Sequence, residues 1–276
     1  MISAASSGEK YDWVVDYMAN PRSAMITAMS GAAVRAGAGH VSHRWAFSHP
    51  LEQSAATQYA GLEKIRVLRS LGLSPDETDF LPKITLSKTH RDFAAEGIKG
   101  LGWADDKPIV GFVPASRKKT RQWPARAYAE LGDALRKSAG ARIVVFWGPG
   151  EEDLAWDIAR SIGQGAAISP ATRNLRDLAG LIERCRLVVT NCNGPKHIAV
   201  ACGVPTLTIH GSSDPVAWNP PSNERHQVAR LEDLHCIGCR KNECPYKLEC
   251  MSELSPERVA QQALSMLDLA AAGDRR

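Results

Sequence analysis

The chain has 276 residues, of which 44% are hydrophobic and 23% are charged, values that are typical of a globular protein and argue against wholesale disorder. Its net charge of +4 is too small to indicate nucleic acid as a partner, but it is compatible with an anionic ligand or an acidic membrane face. No segment approaches the roughly 18 consecutive apolar residues of a transmembrane helix, and the first residues lack the pattern of a secretory signal. We therefore expect a cytoplasmic protein whose seven cysteines are mostly reduced.

The first hundred residues predict few regular elements. Residues 11–18 form an apolar run typical of a strand, residues 21–30 predict a helix, and residues 55–73 have the spacing of an amphipathic helix. Residues 40–50 are predicted to be a loop. One strand and two helices do not make a parallel sheet alone, so residues 1–104 are interpreted as a partial α/β domain.

From residue 105 to residue 276 the sequence alternates between short apolar runs and helical patterns. The predicted strands cover residues 109–113, 142–147, 166–168, 186–191 and 205–211. The predicted helices begin at Pro124, Glu151, Asn174 and Pro195, with Asn174 as an N-terminal cap. Strands without polar alternation are typical of parallel strands buried on both faces. This region therefore predicts a doubly wound α/β domain, followed by a cysteine-rich tail and a final helix.

Ligands of open parallel sheets bind beyond the carboxyl ends of the strands, so the loops that follow the strands are the candidate site. The first loop, residues 114–124, contains Ser116, Arg121 and three further cations, which suit a phosphate. A solvated run of charges is the alternative interpretation of this loop. The second loop, residues 147–153, has glycines for a tight turn and Glu152, which could accept a hydrogen bond from a ribose hydroxyl.

The third loop, residues 190–197, combines Gly194, Pro195 and His197 at the start of a helix. Gly194 permits close approach of a ligand, and amides at a helix start bind anions. His197 packed within the helix is the alternative. The fourth loop, residues 210–218, offers small hydroxyl donors, but it could equally be a plain connection.

Several motifs of nucleotide enzymes are absent from the sequence. It contains no Walker A motif, no G-x-G-x-x-G after a strand and no G-x-S-x-G elbow. P-loop ATP chemistry, nicotinamide-dependent dehydrogenation and α/β-hydrolase chemistry are therefore disfavoured.

Four cysteines lie close together near the C-terminus, with the spacing C-x2-C-x4-C-x5-C. They are Cys236, Cys239, Cys244 and Cys250. Four thiols within this distance could hold a tetrahedral metal, so a structural zinc is one hypothesis. Reduced structural thiols and a labile disulfide are the alternatives. Because this segment follows the last loop of the sheet, we expect it to stand apart from the ligand site.

Taken together, the loops resemble glycosyltransferase family 9, the ADP-heptose:lipopolysaccharide heptosyltransferases. Residues 187–218, LVVTNCNGPKHIAVACGVPTLTIHGSSDPVAW, resemble the donor-binding signature of the family. TRQWPARAYAEL and WGPGEEDLA resemble its Lys-x-Trp-Pro segment and its glycine-rich turn, and CMSELSPERV resembles its C-terminal tail. KYDWVVDYMANPRSAMITAMSG resembles a strand and helix of its first domain.

The resemblance implies the GT-B arrangement, which has two Rossmann-like domains with parallel sheets. It implies an inverting heptose transfer that requires no metal or other cofactor, with the nucleotide-sugar donor in the C-terminal domain. It also implies a lipid-linked sugar acceptor on the N-terminal domain, and therefore peripheral contact with the inner face of the cytoplasmic membrane.

The resemblance assigns roles to residues of both domains. Ser116 and Arg121 would contact the donor phosphates, Glu152 the ribose, and the backbone near Asn174 the adenine. The pyrophosphate would lie against Asn193, Gly194 and His197. Arg22 and Ser23 match the region that faces the acceptor.

The sequence departs from the family at its beginning. The family opens with a strand and a glycine loop whose Asp is the general base, and nothing before Lys10 matches this element. We therefore expect an incomplete first domain, with Asp16 as the candidate substitute for the base and with weak or no transfer activity. A nucleotide-sugar-binding protein without turnover is one alternative function, and an α/β scaffold carrying a metal module is another.

Overall fold

The structure is a computed structural model, which describes residues 10–52, 54–103, 106–221 and 224–273. The chain divides into two compact units, Met1–Phe80 and Leu81–Arg276. Each unit has its own parallel sheet, and the two are described separately.

The first unit is built from three short strands and two helices. In chain order these are β1 (Trp13–Asp16), α1 (Pro21–Met29), β2 (Val34–Ala38), β3 (His49–Leu51) and α2 (Ala60–Ser70). The sheet order is β1-β2-β3, with Trp13 opposite Val34 and Ala36 opposite His49. Helix α1 begins with a capping box, in which the Asn20 side chain accepts from the Ser23 amide and Ser23 Oγ accepts from the Asn20 amide.

The prediction of a single strand in this half is wrong, because β2 and β3 pair with β1 in a parallel sheet. The expectation of an incomplete first domain, unable to form such a sheet alone, is therefore corrected. The predicted loop at residues 40–50 contains a 3-10 helix at Arg44–Ala46 and the start of β3. Strand β2 escapes detection because Arg35 and Gly37 interrupt its apolar pattern. Packing favours glycine at position 37, because a Cβ there would lie 2.4 Å from the Phe47 ring.

The second unit begins with a helix, α3 (Lys88–Gly100), and continues as alternating strands and helices. These are β4 (Ile109–Val113), α4 (Ala125–Ala139), β5 (Arg142–Val145), α5 (Glu152–Ile162), β6 (Ala166–Ile168), α6 (Leu175–Glu183), β7 (Leu187–Asn191), α7 (Gly194–Ala201), β8 (Thr206–Ile209), α8 (Pro215–Trp218), β9 (His226–Ala229), α9 (Glu249–Ser252) and α10 (Pro256–Gly273). The five strands predicted for this region and the final helix are confirmed. Across the described parts of both units, no helix combines the length and hydrophobicity needed to cross a membrane.

All six strands of the second sheet are parallel, in the order β6-β5-β4-β7-β8-β9. Successive residues of the central strands enter two different cores: Phe112 and Val145 pack with α4, α5 and α10, whereas Val113 and Val144 pack with α3, α6 and α7. The sheet is therefore covered by helices on both faces, as the uninterrupted apolar runs predicted.

The boundary between the units falls at residue 80 instead of the predicted 104, because α3 packs on the second sheet. Ala94 and Ile98 of α3 belong to the second core, and Arg91 forms a bidentate ion pair with Glu183 of α6, with nitrogen–oxygen distances of 2.9 and 3.1 Å. The two helices approach closely at Gly180, where an added Cβ would lie 2.6 Å from the backbone oxygen of His90.

This close approach predicts that Gly180→Ala destabilises the second unit. Alanine favours a helix by about 1 kcal/mol over glycine, but the clash with a backbone oxygen should outweigh this gain and cost about 1–3 kcal/mol net. The control is Gly100→Ala, where a Cβ meets nothing within 4 Å and should be neutral or stabilising. Urea unfolding of both variants tests this expectation, and equal stability of the two would contradict the close packing of α3 on α6.

Candidate functional site

The strand order changes direction between β4 and β7, so the helices that follow these strands leave toward opposite faces and a crevice opens between them. A pocket of about 430 Å³ lies in this crevice, at the switch point of the strand order, and is called the switch-point pocket. Its polar and charged lining residues are Ser116, Arg117, Lys118, Arg121, Glu151, Asn193 and His197. Gly194, Cys192 and Trp218 also line it. The structure thus brings together five of the residues predicted for the donor: Ser116, Arg121, Asn193, Gly194 and His197.

Two asparagines at the end of β7 join the walls of this pocket. The Asn191 side chain donates to the Pro114 carbonyl at 2.6 Å and accepts from the Trp123 amide at 3.2 Å. The Asn193 side chain donates to the Ala115 carbonyl at 3.0 Å. The first loop is therefore held against the third. The sequence analysis missed Asn191, because a strand-terminal asparagine is not distinctive without its partners.

The start of α7 offers one amide to an anion, fewer than the sequence suggested. Asn193 is the N-cap, and its side chain accepts from the Lys196 amide at 3.2 Å. Pro195 has no amide hydrogen. Of the first three helical residues, Gly194 alone has an amide hydrogen that is not bonded to the Asn193 cap. The positive end of the helix dipole also lies at this residue.

Arg121 supplies a cation whose bonding capacity the protein does not use fully. It ends a short 3-10 helix (Lys119–Arg121), and its Nε atom is buried with no hydrogen-bond partner among the described residues. A buried, unsatisfied guanidinium nitrogen in a pocket wall favours an anionic ligand. His197 also lines the pocket, and the centroid of its ring lies 6.0 Å from that of the Trp218 ring, edge-on.

Glu151, and not Glu152, is the carboxylate that lines the pocket. Glu151 closes the glycine turn, because its Oε2 accepts from the Gly148 amide at 3.0 Å. Glu152 is the first residue of α5 and is exposed. The sequence could not separate these neighbours, since their side chains diverge only once the turn is formed.

Asn174 lies outside the pocket and caps α6, as predicted from its position. Its side chain accepts from the amides of Arg176 and Asp177 at 2.9 and 3.0 Å. The buried Asp177 is bound by the Arg173 guanidinium, which lowers the pKa of this carboxyl. The contact of this segment with adenine stays a prediction.

The expectation that the cysteine-rich segment stands apart from the ligand site is wrong. Residues 230–248 contain no helix or strand, and they pack on two loops at the carboxyl edge of the sheet. Thr120 Oγ1 donates to the Lys241 carbonyl at 2.9 Å, and the Arg240 amide donates to the Ser212 carbonyl at 2.6 Å. Ser212 Oγ in turn donates to Thr120 Oγ1 at 3.1 Å. The segment therefore braces the turn that ends in Arg121.

The four clustered cysteines line a small cavity of about 70 Å³ and are not paired with one another. Within the part of the chain that the structure describes, no group of three or more His, Cys, Asp or Glu side chains is arranged to hold a metal ion. The geometry thus gives no support to a zinc bound by Cys236, Cys239, Cys244 and Cys250, which stays a prediction.

The first unit carries its candidate residues on the same kind of sheet edge. Asp16 ends β1, is only 8% exposed, and accepts through Oδ1 from the amides of Met18 and Ala19, both at 2.9 Å. Its Oδ2 atom has no partner among the described residues. Asp16 and His40 line a cavity of about 290 Å³. Arg22 and Ser23 lie in the first turn of α1, where Arg22 is exposed and Ser23 belongs to the capping box.

A basic pocket at the switch point of a parallel sheet is typical of the class of proteins that bind phosphate-bearing ligands. The family model of glycosyltransferase family 9 (heptosyltransferase) matches residues 6–249, and the chain belongs to this family.

Individual relatives agree with this assignment. Lipooligosaccharide heptosyltransferase 2 of Campylobacter jejuni is 31% identical over 167 residues, which cover 58% of this chain and 51% of that protein. The chain thus spans about half the length of the relatives it matches.

Solved structures show the fold. A family 9 glycosyl transferase from Veillonella parvula has a TM-score of 0.80 and 23% identity, over 96% of this chain and 77% of that one. The E. coli heptosyltransferase WaaC with ADP-2-deoxy-2-fluoro heptose has a TM-score of 0.64 and 22% identity, over 93% of this chain and 73% of that one. The GT-B-like class with two parallel sheets is therefore confirmed.

Two buried histidines behind the pocket predict loss of stability in acid. Burial lowers the pKa of His210 to about 3 and that of His226 to about 4, so both stay neutral in the fold at pH values where the unfolded chain binds protons. Stability should fall as the pH drops from about 6.5 toward 4, by an amount on the order of 3 kcal/mol for each histidine.

Denaturant unfolding across this pH range tests the expectation. His226→Gln should flatten the pH dependence, whereas His235→Gln, at an exposed position in the same unit, should not. Identical pH profiles for the two variants would contradict the assignment to His226.

Proposed function

We propose that this protein is a glycosyltransferase that binds a nucleoside-diphosphate sugar, ADP-heptose, in its second unit and transfers the heptose to a lipopolysaccharide core acceptor. The observation that carries the proposal is the switch-point pocket, in which the start of α7, the Arg121 guanidinium and His197 line one space. Membership of family 9 supports the reaction class. The ADP-2-deoxy-2-fluoro heptose named for the WaaC structure supports the choice of donor.

The proposed role of the pocket is to stabilise the leaving group. As the bond between sugar and phosphate breaks, negative charge develops on the departing diphosphate. The Gly194 amide, the Arg121 guanidinium and the His197 ring would stabilise this charge, so the proposed reaction needs no metal. Glu151 is the better candidate than Glu152 for a ribose hydroxyl, because its carboxylate lines the pocket.

The proposed acceptor side is the first unit. Attack by an acceptor hydroxyl on the face opposite the diphosphate would invert the anomeric centre and needs a base for the hydroxyl proton. We propose Asp16 for this role, because its carboxylate is held by a turn and lines the cavity of this unit with one oxygen unbonded. A lipid-linked acceptor near Arg22 and Ser23 would bring the protein into peripheral contact with the cytoplasmic face of the membrane.

The donor proposal predicts that ADP binds and that Arg121→Ala weakens the binding. Losing a charge-assisted hydrogen bond costs about 1.5–3 kcal/mol, which is roughly a 10- to 100-fold rise in Kd. The control is Arg126→Ala, since Arg126 is exposed on α4 and pairs there with Glu130. Calorimetric titration with ADP is the measurement. The proposed donor would be rejected if the unmodified protein bound no ADP, and the phosphate role of Arg121 if both variants bound alike.

The acceptor proposal predicts that Asp16→Asn lowers heptose transfer from ADP-heptose to a lipid A–Kdo acceptor by roughly 10²- to 10⁴-fold. Asparagine keeps the oxygen that accepts from Met18 and Ala19, so stability and ADP affinity should not change. Asp12→Asn, at an exposed position just before β1, is the matched control. Full transfer by Asp16→Asn would remove Asp16 from the role of base. ADP binding without transfer by the unmodified chain would favour a nucleotide-sugar-binding protein instead.

A further inference from the structure

Lys196 is a buried lysine that connects two walls of the switch-point pocket. It is the third residue of α7 and has 0% exposure. Its ammonium donates to the backbone carbonyl of Trp218, and its own amide donates to the Asn193 side chain. Trp218 and Asn193 both line the pocket, whereas Lys196 lies behind them.

The charge of Lys196 is not balanced by the residues around it. No carboxylate of the described residues contacts its ammonium. The titratable groups that interact with it are the Cys192 thiol and two buried imidazoles, those of His210 and His226. Lys196 lowers the pKa of both imidazoles, so neither histidine offsets its charge.

A buried ammonium without a counter-ion costs free energy in the unliganded protein. Burial accordingly lowers the pKa of Lys196 to about 8. An apolar side chain of similar length would avoid the cost of the buried charge and fill the same space, but it would lose the bond to the Trp218 carbonyl. The cost is offset when an anion binds in front of the lysine, because charges interact strongly where water is excluded.

We infer that Lys196 is a positioning residue of the donor site, which places a buried positive charge behind the diphosphate and fixes Trp218 in the pocket wall. This inference rests on the proposed binding of a nucleoside diphosphate. It differs from the roles of Arg121 and His197, since Lys196 does not line the pocket.

Proton binding by Lys196 and diphosphate binding should therefore be coupled. A bound diphosphate favours the charged lysine, so the pKa of Lys196 should be higher in the complex than in the free protein. At pH values between the pKa of Lys196 in the free protein and its pKa in the complex, the affinity for diphosphate falls by up to tenfold for each pH unit. The affinity for ADP, whose phosphates are fully ionised at alkaline pH, should thus decline above about pH 8.

The experiment measures Kd by calorimetry for ADP and for inorganic pyrophosphate, from about pH 6.5 to 9.5, in the unmodified protein and in Lys196→Met. The stability of the variant should change little, because removal of the buried charge offsets the lost bond to the Trp218 carbonyl. The variant should nevertheless bind both ligands roughly 10- to 100-fold more weakly at pH 7 and lose the decline above pH 8. Arg121→Ala should bind weakly but keep the decline, and Lys137→Met, at an exposed position on α4, should change neither property.

The outcomes separate this inference from the proposed function. If the unmodified protein binds pyrophosphate but not ADP, the proposal of an ADP-linked donor is wrong. The role of Lys196 is then judged from pyrophosphate binding alone. If Lys196→Met binds as tightly as the unmodified protein with the same pH profile, the inference is overturned and the donor proposal stands. If Lys196→Met does not fold, the pH profile of the unmodified protein with ADP decides: a Kd that does not rise between about pH 8 and pH 9.5 overturns the inference.

Discussion

The side-chain amides of Asn191 and Asn193 satisfy a constraint on which the switch-point pocket depends. At the switch point the first loop turns away from the sheet, so the carbonyls of Pro114 and Ala115 have no neighbouring strand to bond. Buried carbonyls without partners are costly, and the two asparagines supply the missing donors. Because Asn193 also caps α7, one residue fixes both the loop that bears Arg121 and the helix start that faces it.

Strands β4 to β8 of the second unit were predictable because their signal arises from burial on both faces of the sheet. Runs such as IVGFV and LVVTN contain consecutive apolar residues, since one side chain enters each core in turn. Strands β2, β3 and β9 were missed, because they are short and contain Arg35, His49 or Gln227 in place of a continuous apolar run. Their positions are decided by neighbouring strands, which local sequence does not reveal.

The candidate site was predictable where local chemistry defines it and not where packing does. A glycine and a proline after a strand predict a helix start, and the helix does begin at Gly194. Nothing local distinguishes Glu151 from Glu152, or shows that Lys196 is fully buried. The bracing of Thr120 by Lys241 joins residues that are 121 positions apart, so only the folded chain could reveal it.

Helix α3 also determines which piece of this chain should be stable when the second unit is produced alone. A polypeptide that began at residue 105, where sequence motifs alone would place the cut, would lack Ala94 and Ile98. The apolar surface of α6 around Leu181 would then face solvent, and such patches promote aggregation. A polypeptide that begins near Leu81 keeps the helix, its core contacts and the ion pair between Arg91 and Glu183. The boundary between the two units therefore lies upstream of the first sequence motif of the second unit.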